Sequence, residues 1–337
     1  MAPPPSCWPA APILTVFTYR PLERDDLEAA ARLLVEAYPH RTDEPATWES
    51  ASRRASSKRC GAFARLMGRG GSPPIVGYAA VWNVLGAKYR FDVVVNPQSV
   101  RRGIGSGLFD IALDEARRSG ARTLQARAYE ASAPALAFLA RRDFVETMKM
   151  RWFTLDLAAA DMTRIRDAMN AGGDVTIGEA TPGQMSQPEF WSALADLHNA
   201  ARDGWPDPDP GGPVVSIRPD TVRSWLMPGG EALVALVVAA RAGQWVGSCA
   251  LVRDRLGADA HFAATAVRPD ARGRGLATAL RARALVAARE AGYTTVRSAS
   301  GSAAIAAINA RFGFGERFCE VRLVRRLSEE PALQGVG

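Results

Sequence analysis

The chain has 337 residues, a formal net charge of +7, 47% hydrophobic and 23% charged residues. That length exceeds what one core usually organises, so two domains are expected, and the composition excludes a largely disordered chain. The basic surplus is spread through helices and loops rather than gathered in a run with interleaved aromatics, which argues against a nucleic-acid partner and leaves small anionic ligands to account for it.

In chain order, the opening MAPPPSCWPAAPIL (1–14) lacks a basic segment followed by an unbroken apolar one, so it reads as a disordered leader rather than a signal peptide. The longest apolar run, Ala232 to Ala240, suits a buried strand and is less than half of what a bilayer requires. A cytoplasmic protein with no membrane partner is the expectation. Cys7, Cys60, Cys249 and Cys319 have neither CxxC spacing nor histidine neighbours, which points to inert packing residues, with no metal and no disulfide framework.

The chain repeats itself. Residues 93–124, VVVNPQSVRRGIGSGLFDIALDEARRSGARTL, lie over 265–296, TAVRPDARGRGLATALRARALVAAREAGYTTV, at a constant offset of 172 residues. Each copy shows an apolar strand (90–95; 262–267) stopped by a proline, then a glycine-rich turn. A helix follows with apolar residues at helical spacing: Leu108, Ala112 and Ala116 in the first copy, Leu276, Leu280 and Ala284 in the second. Gly120 and Gly292 sit where a C-terminal cap would end it. Next come a short strand, a short helix (133–142; 302–311) and a closing alternating strand carrying Met148, Met150 and Trp152, or Cys319, Val321 and Leu323. The expected organisation is a leader 1–14, a first domain 15–157, a linker helix 158–174, a second domain 175–328 and a tail 329–337.

The turn between strand and helix carries arginines and glycines together. Glycine lets the chain turn without a Cβ, and the helix start adds unsatisfied N–H donors and partial positive charge, so phosphate is the natural occupant. The closing GK[ST] of a P-loop is missing, and the proline between strand and glycines disfavours a Rossmann fingerprint.

The pattern V-x-P-x-x-R-G-x-G-x-[GA] after a strand resembles the acetyl-CoA motif of the GNAT acetyltransferase superfamily. The second copy matches it through Val267, Pro269, Arg272, Gly273, Arg274, Gly275, Leu276 and Ala277, with Thr278 following. The family's second segment, an apolar helix ending in [LF]-G-F, is present as INARFGF, residues 308–314. The first copy is looser: Val95, Arg101, Arg102, Gly103, Ile104 and Gly105 remain, but Val100 stands where the motif has arginine, and Asp143 replaces the glycine of the G-F pair. The resemblance implies an α/β (mixed α+β) fold of two tandem GNAT-like domains. Each would have a mixed, mostly antiparallel sheet with flanking helices and a splayed parallel strand pair. It also implies acetyl-CoA, or another acyl-CoA, as co-substrate, bound by those residues of both loops.

The chemistry so implied is acyl transfer to a primary amine of a small molecule or peptide, with the second domain catalytic and the first a degenerate copy. Two alternatives stand beside it: a two-site enzyme, and a non-catalytic CoA-binding module. A lysine-like amine is only about one part in 10³ neutral at pH 7, so a general base or water chain is needed, and a backbone N–H must meet the oxyanion. His261 occupies the position six residues before the motif valine where some members carry a basic carboxylate. Tyr89 is its first-copy counterpart. Asn309 stands where many members place a tyrosine, and Leu139 is its counterpart. The acceptor side of the family is usually built by the loop after the first helix, here 198–212. Asp203, Trp205, Asp207 and Asp209 are its candidate amine contacts, with Asp43 and Glu44 in the first copy.

Overall fold

The computed structural model describes residues 17–21, 29–30, 32–33, 61–66, 75–170, 174–203, 209, 216–227, 233–253 and 259–327. The described residues up to Leu124, with Arg326 and Leu327, form one compact unit, and Gln125–Arg325 form the other. This division departs from the linker 158–174 suggested by the repeat, for a reason visible in the strand order of the second unit.

In the first unit, strands β1 (Phe17–Pro21), β2 (Gly61–Leu66), β3 (Ile75–Leu85) and β4 (Lys88–Val95) pair antiparallel in chain order. Helix α1 (Ile104–Arg118) lays Ile104, Leu108 and Ala112 onto Val76 and Ala79 of β3. The approach is close because β3 offers Gly77 there: a Cβ would lie 2.9 Å from Leu108 Cδ1 and 3.0 Å from the Val94 carbonyl oxygen. Ala116 is fully buried too, so the apolar stripe expected from the sequence is the packed face. Gly120, at φ +78°, ends the helix, with Ala121 N–H reaching back to the Ala116 carbonyl and Gly120 N–H to that of Arg117.

The second unit begins with β5 (Thr123–Tyr129), whose first two residues belong to the first unit, then α2 (Ala133–Ala140) and β6 (Val145–Asp156). Helix α3 (Met162–Asp167) occupies part of the expected linker. After it come β7 (Thr176–Glu179), α4 (Pro182–Met185), α5 (Pro188–Ala200), α6 (Pro219–Leu226), β8 (Leu233–Arg241), β9 (Gln244–Arg253) and β10 (Asp259–Val267). Helix α7 (Leu276–Glu290), β11 (Thr295–Ser300), α8 (Ala303–Arg311) and β12 (Gly315–Arg326) complete it. Ala242 and Gly243, both at positive φ, make the tight β8–β9 hairpin.

The strand order in this unit is β5-β12-β6-β11-β10-β9-β8-β7. The closing strands are therefore exchanged. β6, which ends the first sequence copy, lies between β11 and β12 of the second and pairs antiparallel with both, while β12 stands next to β5. Residues 145–156 are thus fixed by partners well over a hundred positions downstream, and compactness cuts ahead of them. One face of the sheet is covered by α7, whose Leu276, Leu280, Ala284 and Leu285 pack on Val237, Val246 and Leu251. The other is covered by α5 and α6, through Leu194, Leu197, Val222 and Leu226 against Leu236 and Ala250. Among the described residues no helix is long and apolar enough to cross a membrane.

Candidate functional site

Only the start of β10 pairs with β11. Their parallel ladder holds Asp259, Ala260 and His261 against Thr295, Val296 and Arg297 and then stops. An Asp259–Arg297 ion pair pins the closed end. At Ala263 the β9 register slips by one residue, a bulge that bends β10 away, and the two strands diverge toward the glycine loop. The splayed pair expected from the resemblance is present.

A cavity of about 640 Å³ fills the gap. Phe262 through Thr265 and Val267 of β10 form one wall, and Ala299 and Ser300 of β11 with Ser302, Ile305 and Ile308 the other. Its mouth is the loop 271–273 and 275 with the first turn of α7, and its floor includes Arg281. Met150 of the exchanged β6 and the half-exposed Trp225 of α6 close the sides. Neither was legible as a site residue, because nothing in the repeat places β6 or α6 beside the loop.

The loop is built for close approach. A 3₁₀ turn, Pro269–Ala271, ends the strand, Gly273 adopts φ +75°, and Gly275 caps α7 at φ +79°. Glycine alone takes such angles without strain. Leu276, Ala277 and Thr278 open the helix, so their N–H groups lack helical acceptors, and together with the helix dipole they suit a pyrophosphate. The first copy keeps the same backbone: 3₁₀ turn Pro97–Ser99, Arg101 at φ +64°, and Gly103 capping α1 at φ +82°. Arg101 thus fills the position of Gly273 in a conformation that favours glycine. Val95, Arg102, Ile104 and Gly105 complete that loop and the start of its helix.

The loop arginines divide their work. Arg272 does not reach forward: its Nε donates to the Val267 carbonyl at 3.1 Å and its Nη2 to the Ala201 carbonyl at 2.8 Å, capping the C-terminus of α5. Arg274, exposed, lies 3.5 Å from Asp174. Arg268 and Arg241 share Asp270.

The two catalytic candidates fall differently. His261 sits half-buried on the paired segment of β10, outside the cavity wall. Asn309 is fully buried and meets the cavity only through Arg281, whose Nη2 donates to its Oδ1 at 2.7 Å and to Ser298 Oγ at 2.9 Å. Arg281 Nη1 donates to Thr265 Oγ1 at 3.3 Å, and the guanidinium lies 3.5 Å from the Phe262 ring centroid. Burial pushes its pKa down to about 10, so it is charged at neutral pH. Among the described residues lining the cavity there is no carboxylate, histidine or tyrosine.

Of the acceptor loop, Asp203 is exposed, Asp209 is buried, and Trp205 and Asp207 lie outside the described residues, as do Asp43 and Glu44. His198 and Asn199 belong to α5. Asn199 clamps the far end of the loop by accepting from Ile217 N–H and donating to its carbonyl. His198 is buried near Ser248, and burial pushes its pKa down to about 4.

No curated protein matches the chain by sequence. Among solved structures, a GCN5-related N-acetyltransferase from Sphaerobacter thermophilus superposes with a TM-score of 0.71 at 18% identity, over 92% of this chain and 95% of that one. A tandem GNAT protein from the clavulanic acid biosynthesis pathway gives 0.66 at 21% identity, over 94% of this chain and all of its own. A glucosamine N-acetyltransferase region of a fungal multi-domain β-N-acetylglucosaminidase gives 0.68 at 18%, over 94% of this chain and 38% of that one. At such identities the likeness is one of fold. The profile of the acetyltransferase (GNAT) family matches twice, over residues 27–144 and 194–314, more than half of the chain. With two such matches and a strand splay behind the second glycine loop, the chain belongs to the acetyltransferase (GNAT) family as a tandem member.

Proposed function

We propose that the second copy is the catalytic one: it binds acetyl-CoA at the loop 272–278 and passes the acyl group to a primary amine of a small molecule or peptide inside the cavity. The observation that carries this reading is the continuity of the cavity with the exposed amides of α7 at the splayed end of β10 and β11. The bound thioester supplies an activated acyl carbon, and this chain supplies position and polarity. Beyond His261 the parallel ladder of β10 has ended, so backbone donors on that edge are open to a carbonyl oxygen gaining charge. Thr265, Thr278, Ser300 and Ser302 are the neutral hydroxyls at hand, and proton removal from the amine falls to water held among them. On this reading His261 stabilises the paired strand end.

Gly275→Glu tests the assignment, since a carboxylate at the helix cap repels pyrophosphate from the amides. CoA thiol release should vanish with circular dichroism unchanged, and full retained activity ends the reading.

A second reading, a two-site protein, is favoured by Arg101 holding the first loop in the conformation of the second. Calorimetric titration with acetyl-CoA would then saturate at two molecules per chain, with Gly103→Glu removing one.

A further inference from the structure

Arg281 is 2% exposed, borders the cavity, and among the described residues has hydrogen-bond partners that are all neutral. Its Nε has no hydrogen-bond partner among the described residues. The groups packed around it are Cys249 of β9, Phe262 and Thr265 of β10, Ser298 of β11 and Asn309 of α8. The titratable member of that set, the Cys249 thiol, is held neutral because burial raises its pKa. A buried cation with no counter-charge is costly, so its retention needs a reason.

The fold does not supply that reason, as the first copy shows. At the repeat offset of 172 residues the position of Arg281 is taken by Phe109, fully buried and packed edge-to-face on Phe91 at 5.3 Å. Leu139 stands where Asn309 does, buried as well. An apolar side chain therefore fills each of these two positions in the first copy. In the second copy the Arg281 position holds a charge, propped by three side chains that take three of its five N–H groups, both of those on Nη2 among them. Arg281 follows Ala277 by one helical turn, which sets it about 6 Å further along α7 than the amides suited to pyrophosphate. On the proposed reading of the cavity, that is where acyl group and amine meet.

We infer that Arg281 is the receptor for a carboxylate carried by one of the two substrates, so that the reaction of this cavity involves either an amino-acid-like acceptor or a carboxyacyl donor. A carboxylate supplies the full charge that the neutral partners do not, and it can accept the Nη1 N–H that Thr265 leaves unbonded as a charge-assisted hydrogen bond, stronger than a neutral carbonyl would form. The inference rests on the reading of the second copy as the acyltransferase.

The test compares ratios, so that differences in amine basicity cancel. CoA thiol release is measured for an α-amino acid against its methyl ester with acetyl-CoA, and for succinyl-CoA against acetyl-CoA with a carboxyl-free amine. The proteins are the wild type, the double variant Arg281→Phe with Asn309→Leu, which installs the residues of the first copy, and Arg281→Gln, which keeps donors without charge. In one arm the carboxylate-to-neutral ratio of kcat/KM should fall about tenfold in both variants, through KM. The arm that responds tells whether acceptor or acyl group carries the carboxylate. A change below about threefold in both arms overturns the inference. If no combination releases thiol, the acyltransferase reading fails separately. The inference is then judged by thermal upshift with the same matched ligands: a carboxylate-specific shift lost in the variants upholds it, and an unchanged or absent one overturns it.

Discussion

Arg281 Nη2 and Asn309 Oδ1 meet at 2.7 Å in the interior of the second copy, a charge-assisted bond between a helix in the loop-to-sheet layer and the helix behind it. Asn309 shares with Ser298 and Thr265 the holding of the guanidinium beside the cavity. Asn309→Leu should therefore cost about 2 kcal/mol in urea denaturation, because a buried charged donor loses its acceptor. Made in the Arg281→Phe background, the same change should cost close to nothing. A coupling of about 1.5 kcal/mol or more is expected from the cycle.

Acidification should weaken the fold through His198. Burial holds its folded pKa at about 4, below the ordinary histidine value of 6.5, so between those values the unfolded chain binds the extra proton and stability falls as pH drops. The contribution is fully present above pH 6.5. Between pH 7 and 4.5 it amounts to about 2.5 kcal/mol, from about 1.4 kcal/mol per pH unit. His198→Gln should flatten that slope of unfolding free energy against pH, and an unchanged slope would refute the assignment.

Arg101→Gly should stabilise the first unit. At φ +64° a side chain carries about 1 kcal/mol of strain, part of which glycine relieves against its greater freedom when unfolded. A net gain of about 0.5 kcal/mol, read as a higher midpoint in urea, is expected, with unchanged CoA stoichiometry.

The close approaches of helix to strand should respond unequally. At Gly247 a new Cβ would meet Leu280 Cδ1 at 2.9 Å and Leu276 Cδ2 at 3.2 Å, both ends of side chains. Gly247→Ala should cost about 1–3 kcal/mol and raise KM for acetyl-CoA, since Leu276 begins the helix whose amides form the loop. Gly77→Ala should be worse, because the Val94 carbonyl stands at 3.0 Å and backbone yields less. Thermal midpoints of the two variants rank them directly.

Much of the layout was legible from the repeat because its cues are local. A proline that stops a strand, a glycine at positive φ and an apolar stripe at helical spacing each act over a few residues, so Val267, Gly275 and Leu280 announce their geometry. The exchange of β6 was not legible, since alternation along Met148, Met150 and Trp152 says that a strand has two faces and nothing about its neighbours. Arg281 was missed for a related reason. In LRARALV it looks like Arg283, another polar residue on a helix. The available signal was its place on the buried stripe with Ala284 and Ala288, and the mismatch with Phe109 in the other copy. Arg272 was legible as a motif residue, but its turn toward Ala201 depends on where α5 ends.

The exchanged strand also orders events at the ribosome. Met150 is made long before β11 and β12 exist, and until they emerge the edges of β6 have no partners from the second copy. A chain released before β12 is made would leave β5 and β6 each with one open edge. Such open edges invite pairing with other chains, so a stalled or truncated product should aggregate rather than act. For the same reason a cut between the two copies would take β6 away from β11 and β12 of the second.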